Sequence, residues 1–266
     1  MTVVALAGDS HGNYPWARDR IREVAERGVD TMLHLGDFGI WPGNNGRAYL
    51  IRVENACAEH GMRILVTPGN HEDWGRLTAL WENPKQRDAT GAMLPIDLTP
   101  HITVLPRGHR FEIDGRSFVS LGGAPSVDMD NRTERVDWWP EERITAEDVE
   151  RTVAGGYADV MLSHDSPDRP YQTAAVEHVV HGDSGWSWSD QALAHAAAGR
   201  ERMTEAFLGV KPRLFAHGHY HVRDEASVQI PGADHETRIW SLHADGRAGN
   251  LRFLDLETLD DPEWTS

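Results

Sequence analysis

Short apolar runs and helix-like stretches alternate over the first 85 residues of the chain. Runs rich in β-branched residues occur at 3–7, 31–35 and 63–67, and each predicts a buried strand. Between these runs, apolar residues recur at near-helical spacing. This alternation of strand and helix predicts a parallel sheet with right-handed connections.

The helix-like stretches have recognisable ends. Pro15 opens the first, which carries Ile21, Val24 and Ala25 on one side and ends near Gly28. A loop is expected at 39–46. The apolar positions of the next two predicted helices are Leu50, Val53 and Cys57, with a stop at Gly61, and then Leu77 and Leu80.

The spacing changes after residue 100. Short strands are predicted at 102–105, 109–113 and 117–121, joined by tight turns such as Asp114-Gly115, and an irregular loop follows at 122–140. Further apolar runs predict strands at 159–163 and 213–216, and then antiparallel strands at 227–230, 237–242 and 250–256.

Two helices are predicted in this second half from their first residues. Thr145 and Asp148 have the spacing of a capping box, for a helix that ends near Ala154. Ser189 is expected to cap a second helix, whereas residues 166–188 show no periodicity and receive no assignment. With no repeat or linker, we expect one domain over residues 1–266, with two sheets.

Composition fits a globular protein, because 39% of the 266 residues are hydrophobic and 26% are charged. No basic leader precedes the first strand, and no apolar stretch approaches the roughly 20 residues that cross a bilayer, so no membrane partner is expected. The single cysteine, Cys57, excludes an internal disulfide framework. It is expected in the core of a cytoplasmic protein.

The formal net charge of −16 disfavours a protein that binds long nucleic acids, since such binding needs a basic surface. A small phosphorylated substrate remains compatible with this charge, because bound cations can dominate the local field.

Five polar segments follow apolar runs, and all carry side chains able to bind metal. Open α/β sheets place their ligand crevice at the carboxyl ends of their strands, where the first three of these segments lie. The segments are Gly8-Asp9-Ser10-His11-Gly12, Gly36-Asp37, Gly69-Asn70-His71-Glu72, Ser163-His164-Asp165 and His217-Gly218-His219-Tyr220-His221.

The candidate ligands in these segments offer carboxylate oxygen, amide oxygen and imidazole nitrogen, and no thiolate. This mixture favours Mn, with Fe, Zn, Co or Ni as alternatives, over a cysteine-rich zinc site or a calcium site. Seven side chains exceed what one catalytic ion needs, and they fit two divalent ions that share a carboxylate. The seven are Asp9, His11, Asp37, Asn70, His164, His219 and His221.

The order of these motifs resembles the calcineurin-like metallophosphoesterase superfamily. The resemblance spans the chain from Asp9 to His221, and it implies an α/β fold, a double β-sandwich flanked by helices in four αββα layers. It implies a dinuclear metal-dependent phosphoesterase in which a metal-bridged hydroxide attacks phosphorus. The implied ligand sets are Asp9, His11 and His221 for one ion and Asn70, His164 and His219 for the other, with Asp37 shared.

The resemblance gives His71 a different role, as the general acid for the leaving alkoxide or as a stabiliser of developing charge. Other polar residues near the motifs have structural interpretations. His34 is expected to pack within the sheet, and His217 to be structural or to support a ligand. Asp165 either orients His164 or caps the turn that follows it, and we favour the cap.

The residues around the ligand segments bear on the substrate. The Ser/Thr protein phosphatases of the superfamily carry Gly-Asp-x-Val-Asp-Arg-Gly, whereas this chain continues after Asp37 with Phe38-Gly39-Ile40-Trp41. The aromatic side chains of Trp41 and Trp74, near the ligand segments, could stack a nucleobase, or they could simply fill the core.

Other candidate contacts lie in the irregular loops. Arg132 and Arg135 could contact a phosphate oxygen. Four further tryptophans lie in these loops, namely Trp138, Trp139, Trp186 and Trp188. The sequence therefore predicts a phosphodiesterase acting on a small nucleotide-like compound. The alternatives are a phosphomonoesterase, protein phosphatases included, and a catalytically silent interaction module.

Overall fold

The computed structural model describes residues 2–182 and 188–265. Twelve strands and six α-helices lie within these ranges. The strands are β1 (Val3–Ala7), β2 (Thr31–His34), β3 (Arg63–Val66), β4 (Ile96–Thr99), β5 (Ile102–Val104), β6 (His109–Ile113), β7 (Arg116–Leu121), β8 (Val160–Ser163), β9 (Leu214–His217), β10 (Asp224–Gln229), β11 (Glu236–Ser241) and β12 (Leu251–Asp255). The helices are α1 (Tyr14–Glu26), α2 (Gly43–His60), α3 (Trp74–Glu82), α4 (Ala146–Ala154), α5 (Ala174–His181) and α6 (Asp190–Val210).

The strands form two mixed sheets. The first has the order β12-β1-β2-β3-β5-β4, and the second has the order β10-β11-β9-β8-β7-β6. In each sheet the four central strands are parallel and the two edge strands are antiparallel to their neighbours. Because the central strands of one sheet share a direction, the loops after them emerge at one edge of that sheet.

Side chains alternate between the two faces of each strand, and this alternation builds the layers. Val4 and Leu6 of β1 pack between the sheets in one cluster with Phe118 and Leu162 of the second sheet. The opposite face of the first sheet packs on α1, α2 and α3. The outer face of the second sheet packs on α4 and α6. The fold is therefore the predicted double β-sandwich flanked by helices, in four αββα layers.

The start of the chain confirms the predicted parallel sheet, since β1, β2 and β3 pair in parallel. The predicted capping box is also present, with Thr145 and Asp148 bonded reciprocally at the start of α4. Ser189 caps α6, and its hydroxyl accepts a hydrogen bond from the amide of Ala192 at 3.0 Å. Cys57 is buried, as expected.

The antiparallel pairing predicted for the C-terminal strands is confirmed for β10 with β11, but the other neighbour of β11 is β9, and these two strands are parallel. The four central strands of the second sheet are parallel. Helix α4 lies in the crossover from β7 to β8, α5 and α6 lie in the crossover from β8 to β9, and β10 lies in the connection from β9 to β11. The final strand, β12, lies in the first sheet, whereas β10 and β11 lie in the second. It pairs antiparallel with β1, and Val3 lies opposite Asp255. A period of two residues identifies a strand but not its partner or its direction.

Three local assignments also change. Two elements have no counterpart in the sequence pattern: β4, which has four residues, and α5, which lies in the unassigned segment 166–188. Helix α2 begins at Gly43, so the loop predicted at 39–46 is shorter than expected. In the described ranges, no helix is long and apolar enough to cross a membrane.

Candidate metal centre

The carboxyl ends of parallel strands from both sheets meet at one place. Three of the candidate ligands follow strands of the first sheet, and three follow strands of the second. They are Asp9 after β1, Asp37 after β2 and Asn70 after β3, and His164 after β8 with His219 and His221 after β9. His11, the seventh candidate, lies two residues beyond Asp9.

Asp37 lies between the two halves of this cluster. Its Oδ1 is 3.4 Å from His164 Nε2, whereas its Oδ2 is 3.6 Å from His11 Nε2 and 4.0 Å from His71 Nε2. The Asp37 side chain is only 2% exposed, although His11 and His71 beside it are about one-third exposed. The two oxygens of one buried carboxylate thus face different groups of imidazoles.

Asp9, His11 and His221 form the first of these groups. One ligand atom from each lies within 4.8 Å of the other two. Asp9 Oδ2 is 3.0 Å from His221 Nε2 and 3.9 Å from His11 Nε2. The imidazole rings of His11 and His221 are nearly perpendicular, with centroids 4.9 Å apart, so their nitrogens approach Asp9 from different directions.

Asn70, His164 and His219 form the second group. Asn70 Oδ1 is 2.9 Å from His164 Nε2, and the rings of His164 and His219 have centroids 4.9 Å apart. Asp9, Asp37 and His164 also bring one ligand atom each within 4.8 Å of one another. The structure therefore brings all seven candidates together, and it places Asp9 between the two groups as well as Asp37.

The backbone at this site is unusual. Four of the seven candidates have positive φ angles, namely His11 (44°), Asp37 (49°), His219 (71°) and His221 (54°). Left-handed backbone costs a residue that carries a Cβ about 1–3 kcal/mol when the surroundings impose it. The fold stabilises these conformations, which aim the side chains into the cluster.

Glycine allows the loops to approach one another. A Cβ on Gly69 would lie 2.3 Å from both the amide nitrogen and Oδ1 of Asp37, and a Cβ on Gly218 would lie 2.2 Å from Asp9 Oδ1. Any larger residue at these positions would displace one of the two buried carboxylates.

The buried carboxylates remain charged because imidazoles surround them. Burial favours the neutral acid of Asp37, but the charges of His164 and His71 outweigh it and hold its pKa well below the usual range. The same contacts act on the histidines. Burial opposes the charged imidazole, but Asp37 raises the pKa of both His11 and His164 to about 10.

Burial without such a partner has the opposite effect on nearby histidines. It lowers the pKa of His219 well below the usual range, the pKa of His217 to about 4 and that of His34 to about 3. His34 packs within the sheet, as predicted, and its Nε2 contacts the Ser10 hydroxyl at 2.7 Å. These neutral rings leave the positive charge of the site to groups that contact the carboxylates.

Hydrogen bonds fix which nitrogen of each ligand faces the centre. His164 Nδ1 donates to the carbonyl of Leu35 at 2.7 Å, and His11 Nδ1 donates to the carboxylate of Asp245 at 2.8 Å. In both rings Nε2 is therefore the atom left to face Asp37. Asp165 makes no hydrogen bond to His164 within the described residues. Its Oδ1 accepts from the amide of Ser166 and from the hydroxyl of Tyr220, which agrees with the predicted cap.

Several supporting residues were not identified from the sequence. Glu72 was noted only as part of a motif, yet its buried carboxylate accepts from the amides of Phe38, Gly39 and Gly69 and joins two ligand loops. Burial raises the pKa of Glu72 to about 7. Asp245 and Ser126 also contact candidate ligands, from positions with no motif around them.

The predicted substrate contacts occupy different environments. Trp41 is half-buried, and its ring covers Gly12, next to His11. Trp74 is only 2% exposed; its indole N–H donates to the carbonyl of Gly69, and Arg107 covers its ring. Trp74 therefore supports the Asn70 loop from the core, and its ring is not presented for stacking.

Arg132 lies close to the cluster, since its Nη1 is 3.3 Å from the Ser126 hydroxyl, which itself accepts from Asn70. Arg135 is exposed and pairs with Glu141 at 2.7 Å. The remaining tryptophans named from the sequence differ in burial. Trp138 and Trp188 are partly buried, Trp139 is in the core, and Trp186 lies outside the described residues.

The donor set is suited to divalent metal ions. Asp9 is fully buried, and no donor in residues 2–182 or 188–265 makes a hydrogen bond to its Oδ2, although His221 Nε2 lies 3.0 Å away. A buried carboxylate oxygen without a hydrogen bond is costly unless a cation compensates it. Carboxylate oxygens and imidazole nitrogens are ligands that Mn, Fe, Co and Zn accept.

The sequence pattern of the calcineurin-like phosphoesterases matches residues 2–223. The chain belongs to this family. No curated protein is similar enough in sequence to count as a relative.

Solved structures with the same fold have very different sequences. The protein TT1561 of Thermus thermophilus is 10% identical and has a TM-score of 0.58, with 97% of this chain and 96% of that chain covered. A dimetal phosphatase from Danio rerio is 12% identical and has a TM-score of 0.53, with 95% of this chain and 91% of that chain covered. At such low identity these similarities concern the fold alone.

Proposed function

We propose that this protein is a dinuclear metal-dependent phosphoesterase, and specifically a phosphodiesterase that acts on a small nucleotide-like substrate. Membership of the calcineurin-like phosphoesterase family supports phosphoesterase chemistry for this chain. One ion would be held by Asp9, His11 and His221, and the other by Asn70, His164 and His219, with Asp37 shared between them.

The position of Asp37 carries this proposal. Its Oδ1 lies 3.4 Å from His164 Nε2, and its Oδ2 lies 3.6 Å from His11 Nε2. Each oxygen is therefore close enough to share an ion with the imidazole that it faces. A shared carboxylate is typical of paired metal ions about 3.5–4 Å apart. The negative charge of Asp37 is maintained by the imidazoles around it, which include His164, a proposed co-ligand, and His71, the candidate acid.

When bound, a pair of ions would polarise the phosphoryl oxygens, lower the pKa of a water and stabilise the charge of an in-line displacement. Mn²⁺ is the ion that we favour. The protein contributes the geometry. Buried carboxylates at Asp9 and Asp37 hold the negative charge, and fixed Nε2 atoms on His11 and His164 face it.

His71 is the candidate general acid. Its side chain is 32% exposed, and its Nε2 lies 4.0 Å from Asp37 Oδ2, at the rim of the cluster. It can therefore meet the leaving oxygen of a substrate bound at the centre and donate a proton to it, which general acids do with a rate effect of about 10²–10⁴.

The substrate class rests on two observations. The net charge of −16 disfavours long nucleic acids and leaves a small phosphoester as the expected partner. Trp41 is half-buried beside His11 and offers an aromatic ring near the centre. Arg132 and Asn70 both donate to the Ser126 hydroxyl, which places the Arg132 guanidinium near the Asn70 side chain. A base and a phosphate of one small molecule would match these two features.

The test compares hydrolysis of a mono-aryl and a bis-aryl phosphate ester by protein that was stripped with chelator and reloaded with Mn²⁺. Faster hydrolysis of the bis-aryl ester supports the phosphodiesterase, whereas preference for the mono-aryl ester shows a phosphomonoesterase. Asp37→Asn is the control, because the amide removes the shared negative charge. If neither the parent nor Asp37→Asn hydrolyses either ester when Mn²⁺ is supplied, the proposed function is overturned and an interaction module is favoured.

A further inference from the structure

We propose that two carboxylates outside the ligand set, Glu142 and Asp245, are positioning residues that control the two metal ions separately. Glu142 would act through Ser126 on Asn70, and Asp245 would act directly on His11. This inference rests on the proposed dinuclear site, and it assigns to each ion its own supporting carboxylate.

The first support is a buried chain of hydrogen bonds. Asn70 Nδ2 donates to the Ser126 hydroxyl at 2.9 Å, and that hydroxyl donates to Glu142 Oε2 at 2.8 Å. The other oxygen of Glu142 accepts from the Ser126 amide at 2.5 Å and from the Trp138 indole at 3.0 Å. Ser126 and Glu142 are both fully buried, so water does not compete for these bonds.

The direction of this chain is fixed by what each group can do. A carboxylate only accepts, so the single hydroxyl hydrogen of Ser126 belongs to Glu142. The Ser126 oxygen then has only lone pairs left, and it accepts from Asn70 and from Arg132. Asn70 must present its NH₂ to Ser126, and its carbonyl oxygen therefore faces His164 and the centre. Glu142 thereby determines which end of the amide can bind an ion.

The second support lies on the other side of the cluster. Asp245 Oδ1 accepts from His11 Nδ1 at 2.8 Å, and Asp245 Oδ2 accepts from Asn13 Nδ2 at 2.7 Å. The backbone amide of Asp245 donates to the carbonyl of Asp9 at 2.8 Å. A carboxylate that holds the distal nitrogen of a ligating histidine fixes the orientation of the ring and strengthens it as a ligand.

The two supports share no residue. One begins in the loop after β7 and at the turn before α4, and the other begins in the loop after β11. Asn70 and His11 belong to different proposed ligand sets. Weakening one support should therefore reduce the affinity for one ion and leave the affinity for the other near the parental value.

The experiment titrates MnCl₂ into chelator-stripped protein by isothermal calorimetry, and locates Mn in soaked crystals by anomalous scattering at the Mn edge. The variants are Glu142→Gln, Ser126→Ala and Asp245→Asn. The matched control is Glu54→Gln, which alters a hydrogen-bonded carboxylate at the opposite end of the first sheet.

We expect Glu142→Gln and Ser126→Ala to weaken only the ion at Asn70, and Asp245→Asn to weaken only the ion at His11, each by about 10–100-fold. In Glu142→Gln the new side-chain oxygen would accept from the Ser126 amide and the Trp138 indole, as Oε1 of Glu142 does. The new NH₂ would then face the Ser126 hydroxyl oxygen. The Ser126 hydrogen would then have Asn70 as its acceptor, which turns the Asn70 amide and removes a ligand. The double variant Glu142→Gln/Asp245→Asn should lose both affinities.

A purely structural role would lower the melting temperature without selectivity for one ion. If the parent binds two Mn²⁺ and the variants keep parental affinities, or if both supports affect the same ion, this inference is overturned while the proposed function stands. If the parent binds no Mn²⁺, both are overturned. Should Glu142→Gln not fold, Ser126→Ala decides the same question, because it removes a single oxygen.

Discussion

The backbone amide of His71 donates a hydrogen bond of 2.9 Å to Oδ1 of Asp37. One peptide group thus ties the candidate acid to the carboxylate that we propose both ions share. The contact joins the loop after β3 to the loop after β2. The position of His71 relative to Asp37 is therefore fixed before a substrate binds.

Replacement of His71 by asparagine should slow hydrolysis according to the leaving group. A general acid matters most when the departing oxygen is basic. We expect His71→Asn to lower kcat by about 10²–10⁴ for an alkyl ester and much less for a nitrophenyl ester. Steady-state rates on both esters provide the measurement, and Mn²⁺ affinity should stay parental. An equal loss on both esters would contradict the acid role of His71.

A single methyl group on Gly69 should disrupt the centre. The new Cβ would lie 2.3 Å from Asp37, closer than any real contact, and φ at this position is not in the left-handed region. We expect Gly69→Ala to lower Mn²⁺ affinity and hydrolysis at least tenfold. Gly28→Ala is the control: it places a Cβ at a positive φ but in open space, so it should lower the melting temperature and spare Mn²⁺ binding.

Trp41 should select for an aromatic base in the substrate. Stacking of a base on an aromatic side chain contributes about 1–3 kcal/mol, which corresponds to roughly 5–150-fold in affinity. Trp41→Leu should raise KM by that factor for a nucleotide diester and leave KM unchanged for an alkyl diester without a ring. Trp264→Ala alters an exposed tryptophan packed on Phe253 and serves as the control. Equal changes in KM for both diesters would disprove stacking on Trp41.

Glu54 should stabilise the fold in a pH-dependent way. Its carboxylate accepts from the Thr99 hydroxyl at 2.5 Å and contacts His101 Nδ1 at 2.7 Å, which joins α2 to β4 and β5. Burial opposes ionisation, but these hydrogen bonds lower the pKa of Glu54. A lowered folded pKa contributes stability above the unfolded pKa of about 4.3, and this contribution is lost as the pH falls through the folded value.

The expected result is that Glu54→Gln reduces the free energy of unfolding by about 1 kcal/mol at pH 7. The difference from the parent should shrink below about pH 4. Urea denaturation at a series of pH values measures it. A difference that grows with acidity would show that the stabilisation does not come from the ionised carboxylate.

The sequence was informative wherever the structure depends on local pattern. Apolar runs placed β1, β2 and β3, and the polar segments after them placed Asp9, Asp37 and Asn70 at one edge. This works because parallel strands in succession end on the same side.

The unpredicted parts depend on contacts between distant positions. Asp245 contacts His11 across 234 positions, and Ser126 contacts Asn70 across 56. No motif surrounds either residue, and an isolated Asp or Ser in a loop is usually a turn residue. The partner of β12 could not be inferred for the same reason, since periodicity does not identify which strand lies alongside.

The strand β12 has a bearing on how the polypeptide matures during its synthesis. Residues up to 223 already include every proposed ligand. Asp245, which holds His11, and Asn250, which donates to the carbonyl of Asp9, come later in the chain. The strand β12, which pairs with the outer edge of β1, also comes later. A nascent chain that has emerged only to residue 223 would carry the proposed metal-binding residues on an unfinished sheet. We therefore expect cation capture to wait until Asp245, Asn250 and β12 have also emerged from the ribosome.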